Sequence, residues 1–242
     1  MNRVLADRVV AVAGATGGLG PSVVRALAEA GAVVALTDRE QGALEALAGE
    51  CALPDDRVDA RVVDLLDEAA ARGWAEHLVA RFGRVDALLH LVGGWRGGTP
   101  LEDAPLDDWA LLHDLLIRTV QHTTRAFSAP LRASGSGRFA LVSSKQAQAP
   151  THDNAAYAAA KAAAEAWTLA LADGFTGTGA TANVVVVNAI ATPGMLEGKA
   201  PDAFPTFTRA AELAAALVWI SSEGSGAMNG QRLALHGSGV RG

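Results

Sequence analysis

The chain has 242 residues, of which 50% are hydrophobic and 19% are charged, and its formal net charge is −6. This apolar content is typical of a chain that folds around a core, and it excludes an intrinsically disordered protein. A single cysteine, Cys51, excludes a disulfide framework and every multi-cysteine metal site. The histidines and carboxylates show no metal-ligand spacing, so we expect no metal. Lysines and arginines are not clustered, which argues against a nucleic-acid partner because phosphate neutralisation requires such clusters.

Short β-branched runs alternate along the chain with Ala- and Leu-rich stretches of helical period. The predicted strands are 9–13, 32–36, 61–63, 87–92, 138–142, 182–187 and 231–235. The predicted helices are 21–30, 40–48, 67–82, 107–131, 154–173 and 209–221. This alternation predicts an α/β fold, a doubly wound Rossmann-type sheet of seven mostly parallel strands flanked by helices. No linker composition interrupts the pattern, so we expect residues 1–242 to form a single domain.

Charged residues at the beginning of the chain leave no room for an apolar stretch of signal-peptide length. The longest apolar stretch, 155–171, is interrupted by Lys161 and Glu165 and is too short to span a bilayer comfortably. We therefore expect a cytoplasmic protein with no secretory signal and no membrane partner.

The first predicted strand runs directly into a glycine-rich turn, AGATGGLG at 13–20, and then into a helix. Glycines let such a turn approach a pyrophosphate, and the helix N-terminus offers free N–H groups. Asp38 follows at the end of the second strand, where a carboxylate binds ribose hydroxyls and repels a 2′-phosphate. The pattern predicts a dinucleotide and favours NAD(H) over NADP(H), although the adjacent Arg39 could accommodate the 2′-phosphate. The alternative interpretation is a tight turn without a ligand, with Asp38 as a helix N-cap.

Tyr157 is the only tyrosine of the chain, and Lys161 follows four residues later. Residues i and i+4 share one face of a helix, so the ammonium can lie near the phenol. We predict that this charge lowers the pKa of Tyr157 and makes the phenol a general acid or base. Ser144, thirteen residues upstream, could donate to the same substrate oxygen. The alternative interpretation is a lysine that extends along an Ala-rich helix past a half-buried tyrosine.

Together these motifs resemble the short-chain dehydrogenase/reductase family over essentially the whole chain. The turn is similar to the family's T-G-x-x-x-G-x-G, with Ala13 in place of the Thr, and Ser144, Tyr157 and Lys161 match the catalytic Ser and Y-x-x-x-K. The resemblance implies an NAD(P)-dependent oxidoreductase that interconverts a hydroxyl and a carbonyl on a small-molecule substrate. Tyr157 would be the general acid or base, Lys161 would bind the nicotinamide ribose, and Ser144 would orient the carbonyl.

The resemblance also implies a set of cofactor-binding positions along the chain. These are Gly14, Thr16, Gly17, Gly18, Leu19, Gly20, Asp38, Arg39, Asp64, Leu65, Val92, Gly93, Gly94, Tyr157, Lys161, Ile190 and Thr192. The apolar helices 107–131 and 154–173 are implied to form the interface of a homodimer or homotetramer.

Three positions depart from the family pattern. The segment 90–93 reads HLVG where the family has N-N-A-G, Leu116 replaces the proton-relay Asn, and 187–188 reads VN where the family has Pro-Gly. His90 or His113 could substitute as a proton carrier, although we favour the interpretation that both are ordinary helix or strand-end residues. These departures keep open a catalytically weak dinucleotide-binding protein.

The segment 93–98 reads GGWRGG and, with Ser144 and Lys145, locally resembles dihydropteridine reductases. An alternative function is therefore a dihydropteridine-reductase-like activity. Trp95 would then stack on a flat or cyclic substrate, or else it packs against the neighbouring helix. The segment 192–208 is predicted to form an apolar lid over the substrate.

Overall fold

The computed structural model of the protein describes residues 3–200 and 203–235. Seven parallel strands form one sheet, which confirms the predicted Rossmann-type α/β fold. The strands of this sheet are β1 (Val9–Ala13), β2 (Val33–Asp38), β3 (Val58–Val62), β4 (Ala87–His90), β5 (Arg138–Ser144), β6 (Thr181–Val187) and β9 (Arg232–Ala234). Their order in the sheet is β3-β2-β1-β4-β5-β6-β9. Two short strands, β7 (Ile190–Ala191) and β8 (Thr208–Arg209), pair with each other beside it.

Helices connect the strands. They are α1 (Gly20–Glu29), α2 (Gln41–Glu50), α3 (Glu68–Phe82), α4 (Leu106–His113), α5 (Thr119–Ala133), α6 (Ala155–Gly174), α7 (Pro193–Leu196) and α8 (Ala210–Ile220). Short 3-10 helices occupy Asp55–Arg57, Lys145–Ala147 and Glu223–Ser225. Within the described residues, no helix combines the length and the apolar character that crossing a membrane requires.

Both faces of the sheet are covered. On one face, Val10 and Val12 of β1 pack with residues of α1 and α8, and on the other face Ala11 and Ala13 join a cluster that contains Trp74 and Phe127. The last two rings meet edge to face, 4.8 Å apart between centroids. Successive side chains of a strand point to opposite faces, so a sheet covered on both faces needs strands that are apolar throughout.

The order of the strands determines where a ligand site can lie in this sheet. From β1 the chain builds outward through β2 and β3, and it then returns to place β4 on the other side of β1. The connections that leave the carboxyl ends of β1 and β4 therefore diverge and open a crevice, the usual ligand site of such a sheet.

Element boundaries differ from the prediction where charged residues lie inside a strand. Strand β3 begins at Val58 and not at 61, because Asp59 is buried and bonded to His77 and Arg81 at 2.9 and 3.0 Å. Strand β4 ends at His90, two residues earlier than predicted.

The helix predicted over 107–131 is also interrupted. A π-helical turn, Asp114–Arg118, separates α4 from α5, and the N–H of Thr119 binds the carbonyl of Asp114 five residues earlier. Apolar periodicity does not reveal one wide turn inside a long helix, because the residues on either side keep the same composition.

Candidate active site

The glycine turn between β1 and α1 is held by close backbone contacts. Gly14 has φ of +82°, and a Cβ there would lie 2.8 Å from the nitrogen of Val92. A Cβ on Gly20 would lie 2.0 Å from the carbonyl oxygen of Ala15. No side chain fits at either position, so the turn lies directly against the segment after β4.

Asp38 at the end of β2 is bonded to the same turn. Its Oδ2 accepts hydrogen bonds from the N–H and hydroxyl of Thr16, at 2.9 and 2.7 Å, and its Oδ1 accepts one from the N–H of Arg39 at 2.9 Å. The predicted ribose carboxylate is thus held by Thr16. Arg39 is exposed beside it.

A cavity of about 860 Å³ lies along the carboxyl edge of the sheet. All of the predicted site residues except Thr16 and Gly20 line it; these are Gly14, Gly17, Gly18, Leu19, Asp38, Arg39, Asp64, Leu65, Val92, Gly93, Gly94, Trp95, Ser144, Tyr157, Lys161, Ile190 and Thr192. The structure therefore brings together residues from nearly the whole chain. Thr16 and Gly20, which were predicted to contact the ligand, have other contacts. Thr16 binds Asp38, and Gly20 lies against the carbonyl of Ala15.

The cavity fits a dinucleotide at the turn. Gly17 and Gly18 line it without a side chain, and α1 begins two residues later at Gly20, so its N-terminus lies near them, as anion binding requires. After β3, Oδ1 of Asp64 accepts a hydrogen bond from the N–H of Leu66 at 2.9 Å, and the intervening Leu65 is buried.

Lys161 and Tyr157 lie on one face of α6. Lys161 is 6% exposed, its Nζ donates to the carbonyl of Val142 at 3.0 Å, and it lies 5.9 Å from the centroid of the Tyr157 ring. Burial lowers the pKa of Lys161 to about 8, and the charge of Glu165 opposes that decrease.

The predicted direction of the Tyr157 pKa is wrong. Burial raises the pKa of the phenol above its ordinary value, and a hydrogen bond with Ser144 opposes the increase. The prediction considered only the lysine charge, whereas the loss of water around the phenol is the larger effect.

The two candidate substitute proton carriers occupy different environments. His90 is fully buried, with Nε2 3.2 Å from the Thr119 hydroxyl and Nδ1 3.1 Å from the Thr123 hydroxyl. Burial, with a smaller contribution from Lys161, lowers the pKa of His90 to about 3, so the ring is neutral at physiological pH. His113 lies at the surface beside Asp114, at 3.4 Å. Neither arrangement favours proton transfer at Tyr157, and both favour the interpretation of ordinary helix or strand-end residues.

Comparison with known proteins identifies the family. Residues 8–202 match the family model described as short chain dehydrogenase. The chain belongs to the short-chain dehydrogenase/reductase family. It is an oxidoreductase of that family, whose members bind NAD(P).

The proteins that this short-chain dehydrogenase/reductase resembles are named for different substrates. It is 33% identical over 202 residues to a short chain dehydrogenase of Pseudocercospora fijiensis, which covers 82% of this chain and 63% of that one. A gluconate 5-dehydrogenase from Burkholderia cenocepacia in complex with NADP and tartrate is 26% identical, with a TM-score of 0.84 and 98% and 97% of the two chains covered. An NAD+-bound xylitol dehydrogenase is 23% identical, with a TM-score of 0.84 and coverage of 96% and 99%.

This family member lacks a polar side chain at the relay position. Leu116, in the π turn, is 2% exposed and packs with Leu112, Ile117 and Ala160. The neighbouring Thr119 lines the cavity, but its hydroxyl donates to the carbonyl of Leu115 at 2.7 Å.

Trp95 is a lining residue of the cavity and does not pack beneath a helix. The side chain is 53% exposed, and its Nε1 donates to Oδ1 of Asn154 at 3.2 Å. The N–H of Gly98 donates to the carbonyl of Asp153 at 2.8 Å. The loop 93–98 is therefore tied to the segment that leads into α6, and the ring is held at the cavity.

The segment after β6 closes over the glycine turn. Thr192 caps α7 by accepting from the N–H of Met195 at 3.4 Å, and its methyl would lie 3.2 Å from a Cβ on Gly18. Asn188, in place of the family Pro-Gly, donates to the carbonyl and hydroxyl of Thr206 at 3.3 Å. The predicted lid includes residues 201 and 202, which lie outside the described residues.

Sequence reasoning missed four polar residues near the cavity. Asn154 holds Trp95, Thr119 and Gln146 line the cavity, and Glu165 is buried behind Lys161. Only Glu165 carried a usable signal, because 157, 161 and 165 follow one another at helical spacing in an otherwise Ala-rich helix. Within the part of the chain that the structure describes, no group of three His, Cys, Asp or Glu residues could hold a metal ion.

Proposed function

We propose that the protein is an NAD(P)-dependent oxidoreductase that interconverts a hydroxyl and a carbonyl on a small molecule by hydride transfer. The observation that carries this proposal is the placement of Ser144, Tyr157 and Lys161 on the same cavity as the glycine turn and Asp38. Family membership supports the class of reaction, and both solved dehydrogenases described above are named for hydroxylated substrates.

The dinucleotide would supply or accept the hydride, and the chain would bind and orient it. The turn and the first N–H groups of α1 would hold the pyrophosphate, Asp38 would bind the adenosine ribose, and Lys161 would bind the nicotinamide ribose. The carboxylate of Asp38 supports our preference for NAD(H) over NADP(H), and the exposed guanidinium of Arg39 favours the opposite choice.

Tyr157 would transfer the proton. Because burial raises its pKa, the phenol is protonated at neutral pH and is a proton donor for reduction of a carbonyl. In the oxidative direction the proton acceptor is the Tyr157 phenolate. The Lys161 ammonium, 5.9 Å from the centroid of the ring, stabilises this anion. Ser144, which opposes the increase in the pKa of Tyr157, would orient the substrate oxygen.

The experiment is Tyr157→Phe, assayed with secondary alcohols, diols and the corresponding ketones together with NADH, NADPH and their oxidised forms. We expect a loss of turnover of at least about 10²-fold, the contribution of a general acid or base. Dinucleotide affinity, measured by tryptophan fluorescence, should change less than about twofold.

Lys145→Met is the matched control for Lys161→Met, because Lys145 is exposed and next to Ser144. It should leave turnover and binding unchanged, while Lys161→Met lowers both. Wild-type turnover in Tyr157→Phe with intact dinucleotide binding would contradict the proposal and select the catalytically weak binding protein.

A second candidate function is a dihydropteridine-reductase-like activity on a flat, cyclic substrate. The observation that favours it is the half-exposed Trp95 ring, which lines the cavity and is fixed by Asn154, since a fixed aromatic face can stack on a planar ligand. Reduction of a quinonoid dihydropterin, lost in Trp95→Leu, without activity on simple ketones would select it.

We also propose that the protein is a homo-oligomer, a dimer or tetramer. Leu106, Trp109 and Leu111 of α4 and Trp167 of α6 are exposed large apolar side chains, and both helices belong to the interface that the family resemblance implies. Sedimentation analysis of the purified protein tests this, and a monomer at micromolar concentration would contradict it.

A further inference from the structure

A buried carboxylate lies one helical turn beyond Lys161. Glu165 is 1% exposed and takes no part in the mechanism proposed above. A buried charge is costly unless it is paired and hydrogen-bonded, so its surroundings should explain why it is there.

Three side chains from other parts of the chain hold this carboxylate. The hydroxyl of Ser143 on β5 donates to Oε1 at 2.6 Å, and Nε of Arg232 on β9 donates to Oε2 at 2.7 Å. Nε2 of Gln148, four residues after Ser144, donates to Oε2 at 3.3 Å. The charge of Glu165 is thus fixed in place from β5, β9 and the segment that follows β5.

The two cations near Glu165 differ in exposure. The side chain of Arg232 is 42% exposed, so water screens its charge, whereas Lys161 is buried and its charge is screened much less. Residues 161 and 165 are neighbours on one helix face. The carboxylate therefore acts on Lys161 through the protein interior.

We propose that Glu165 is a positioning residue that keeps Lys161 in its ammonium form, with a negative charge held in place by Ser143 and Arg232. This inference rests on the proposed function, which requires the Lys161 cation beside Tyr157 and the nicotinamide ribose. It adds a buried fourth member, outside the cavity, to the set Ser144, Tyr157 and Lys161.

The remaining charged and titratable groups around Lys161 act differently. Tyr157 is protonated at neutral pH because burial raises its pKa, and His90 on β4 is neutral because its pKa is about 3. Asp114 of the π turn lines the same cavity, but it lies 3.4 Å from both His113 and Arg118. Glu165 is the charge that raises the pKa of Lys161 against its burial.

The chain permits a direct measurement, because it has only three lysines, Lys145, Lys161 and Lys199. Protein labelled with ¹³C at the lysine ε-carbon gives three signals, and their titration by NMR reports the three ammonium groups separately. Lys145 and Lys199 are exposed, and their signals are the internal controls of the measurement. Lys161→Met assigns the third signal.

Glu165→Gln keeps the shape of the side chain, and its one remaining oxygen can still accept the bonds of Gln148 and Arg232. In this variant the Lys161 signal should titrate about one pH unit lower than in the wild type, which corresponds to a roughly tenfold lower proton affinity. Arg232→Gln is the matched control. It breaks the same ion pair but removes a cation, so the Lys161 signal should titrate at the wild-type pH or higher. Glu165→Asp should restore most of the wild-type value.

A purely structural role for the ion pair predicts the same effect from both variants, and that result would overturn the inference. An unchanged Lys161 titration in folded Glu165→Gln, checked by circular dichroism, would also overturn it. Neither readout depends on turnover. Loss of the inference therefore leaves the proposed function standing, whereas wild-type turnover in Tyr157→Phe removes the proposed function whatever the lysine signal does.

With a substrate from the panel, the same comparison extends to catalysis. The alkaline decrease of kcat/KM should begin at lower pH in Glu165→Gln, so that activity at pH 8.5 falls about five- to tenfold while activity at pH 6.5 stays within about twofold. An alkaline limb identical to that of the wild type, beside a shifted Lys161 signal, would show that the ammonium is not required in the reaction.

Discussion

At the end of the cavity formed by β1 and β2, backbone contacts and neutral donors hold the site, whereas at the end formed by β5 and α6 buried ionisable groups hold it. Gly14 and Gly20 leave no space for a Cβ, and Thr16 binds Asp38. Across the cavity, Lys161 and Glu165 are buried. The first end should therefore be sensitive to volume and the second to pH.

The largest expected effect is that of Gly20→Ala, which breaks the backbone-held end. The new Cβ would lie 2.0 Å from the oxygen and 2.4 Å from the carbonyl carbon of Ala15, and backbone atoms cannot move aside as a side chain can. We expect a decrease in unfolding free energy of about 3 kcal/mol or more, seen as a decrease in Tm of about 6–12 °C, with loss of dinucleotide binding.

Gly17→Ala is the control for this prediction. The nearest atom to its Cβ is the Gly14 oxygen at 3.5 Å, an ordinary contact, so the Tm should stay within a few degrees. Equal destabilisation by the two substitutions would show that the turn is not held by the contact at Gly20.

The next effect concerns the buried His90, at the end of β4, and acts on the free energy of unfolding below pH 6.5. In the unfolded chain His90 binds a proton near pH 6.5, whereas in the folded protein its pKa is about 3. Between these values the unfolded state binds more protons, so the free energy of unfolding decreases as the pH falls. From pH 6.5 to pH 4.5 the loss should be about 2–3 kcal/mol.

Urea unfolding at pH 7 and pH 4.5 measures this loss. His90→Asn should show a smaller difference between the two pH values than the wild type, even if it is less stable at both. His113→Asn, at the surface, should keep the wild-type difference. A wild-type difference in His90→Asn would mean that other groups cause the acid sensitivity.

The smallest effect is that of Asp38→Ala on cofactor choice. Loss of the charged acceptor should weaken NADH binding about tenfold, which corresponds to one charge-assisted hydrogen bond. NADPH binding should not weaken, since the repulsion of a 2′-phosphate is removed as well. Fluorescence titrations of wild type, Asp38→Ala and Arg39→Ala measure both cofactors. Tighter binding of NADPH than of NADH by the wild type would mean that Arg39 outweighs Asp38.

The difference between the glycine turn and the buried ionisable groups also explains which features could be predicted from the sequence. The seven-stranded sheet could be predicted because buried strands need continuous apolar runs. The glycine turn could be predicted because steric contacts admit only glycine at positions such as Gly14 and Gly20. The pair Tyr157 and Lys161 was visible because both lie on one helix. The bond between Glu165 and Arg232 spans 67 residues, and no local pattern announces such a partner.

Burial was the other source of error. The direction of the Tyr157 pKa depends on how much water surrounds the phenol, which only the packed helix determines. The early start of β3 was hidden because Asp59, which reads as a surface residue, is buried and bonded to His77 and Arg81.

The π turn at Asp114–Arg118 contributes to the cavity wall and is a place where the number of residues between α4 and α5 can change. A wide turn accommodates one residue more than an α-helical turn, so deletion of a single residue there would restore regular winding and leave α4 and α5 facing as they do now. Phe127 and Leu131 would keep α5 anchored in the core, while the part of the cavity wall that Asp114 and Leu115 of the π turn form would change. A one-codon deletion could thus alter which ligands fit without changing a core residue.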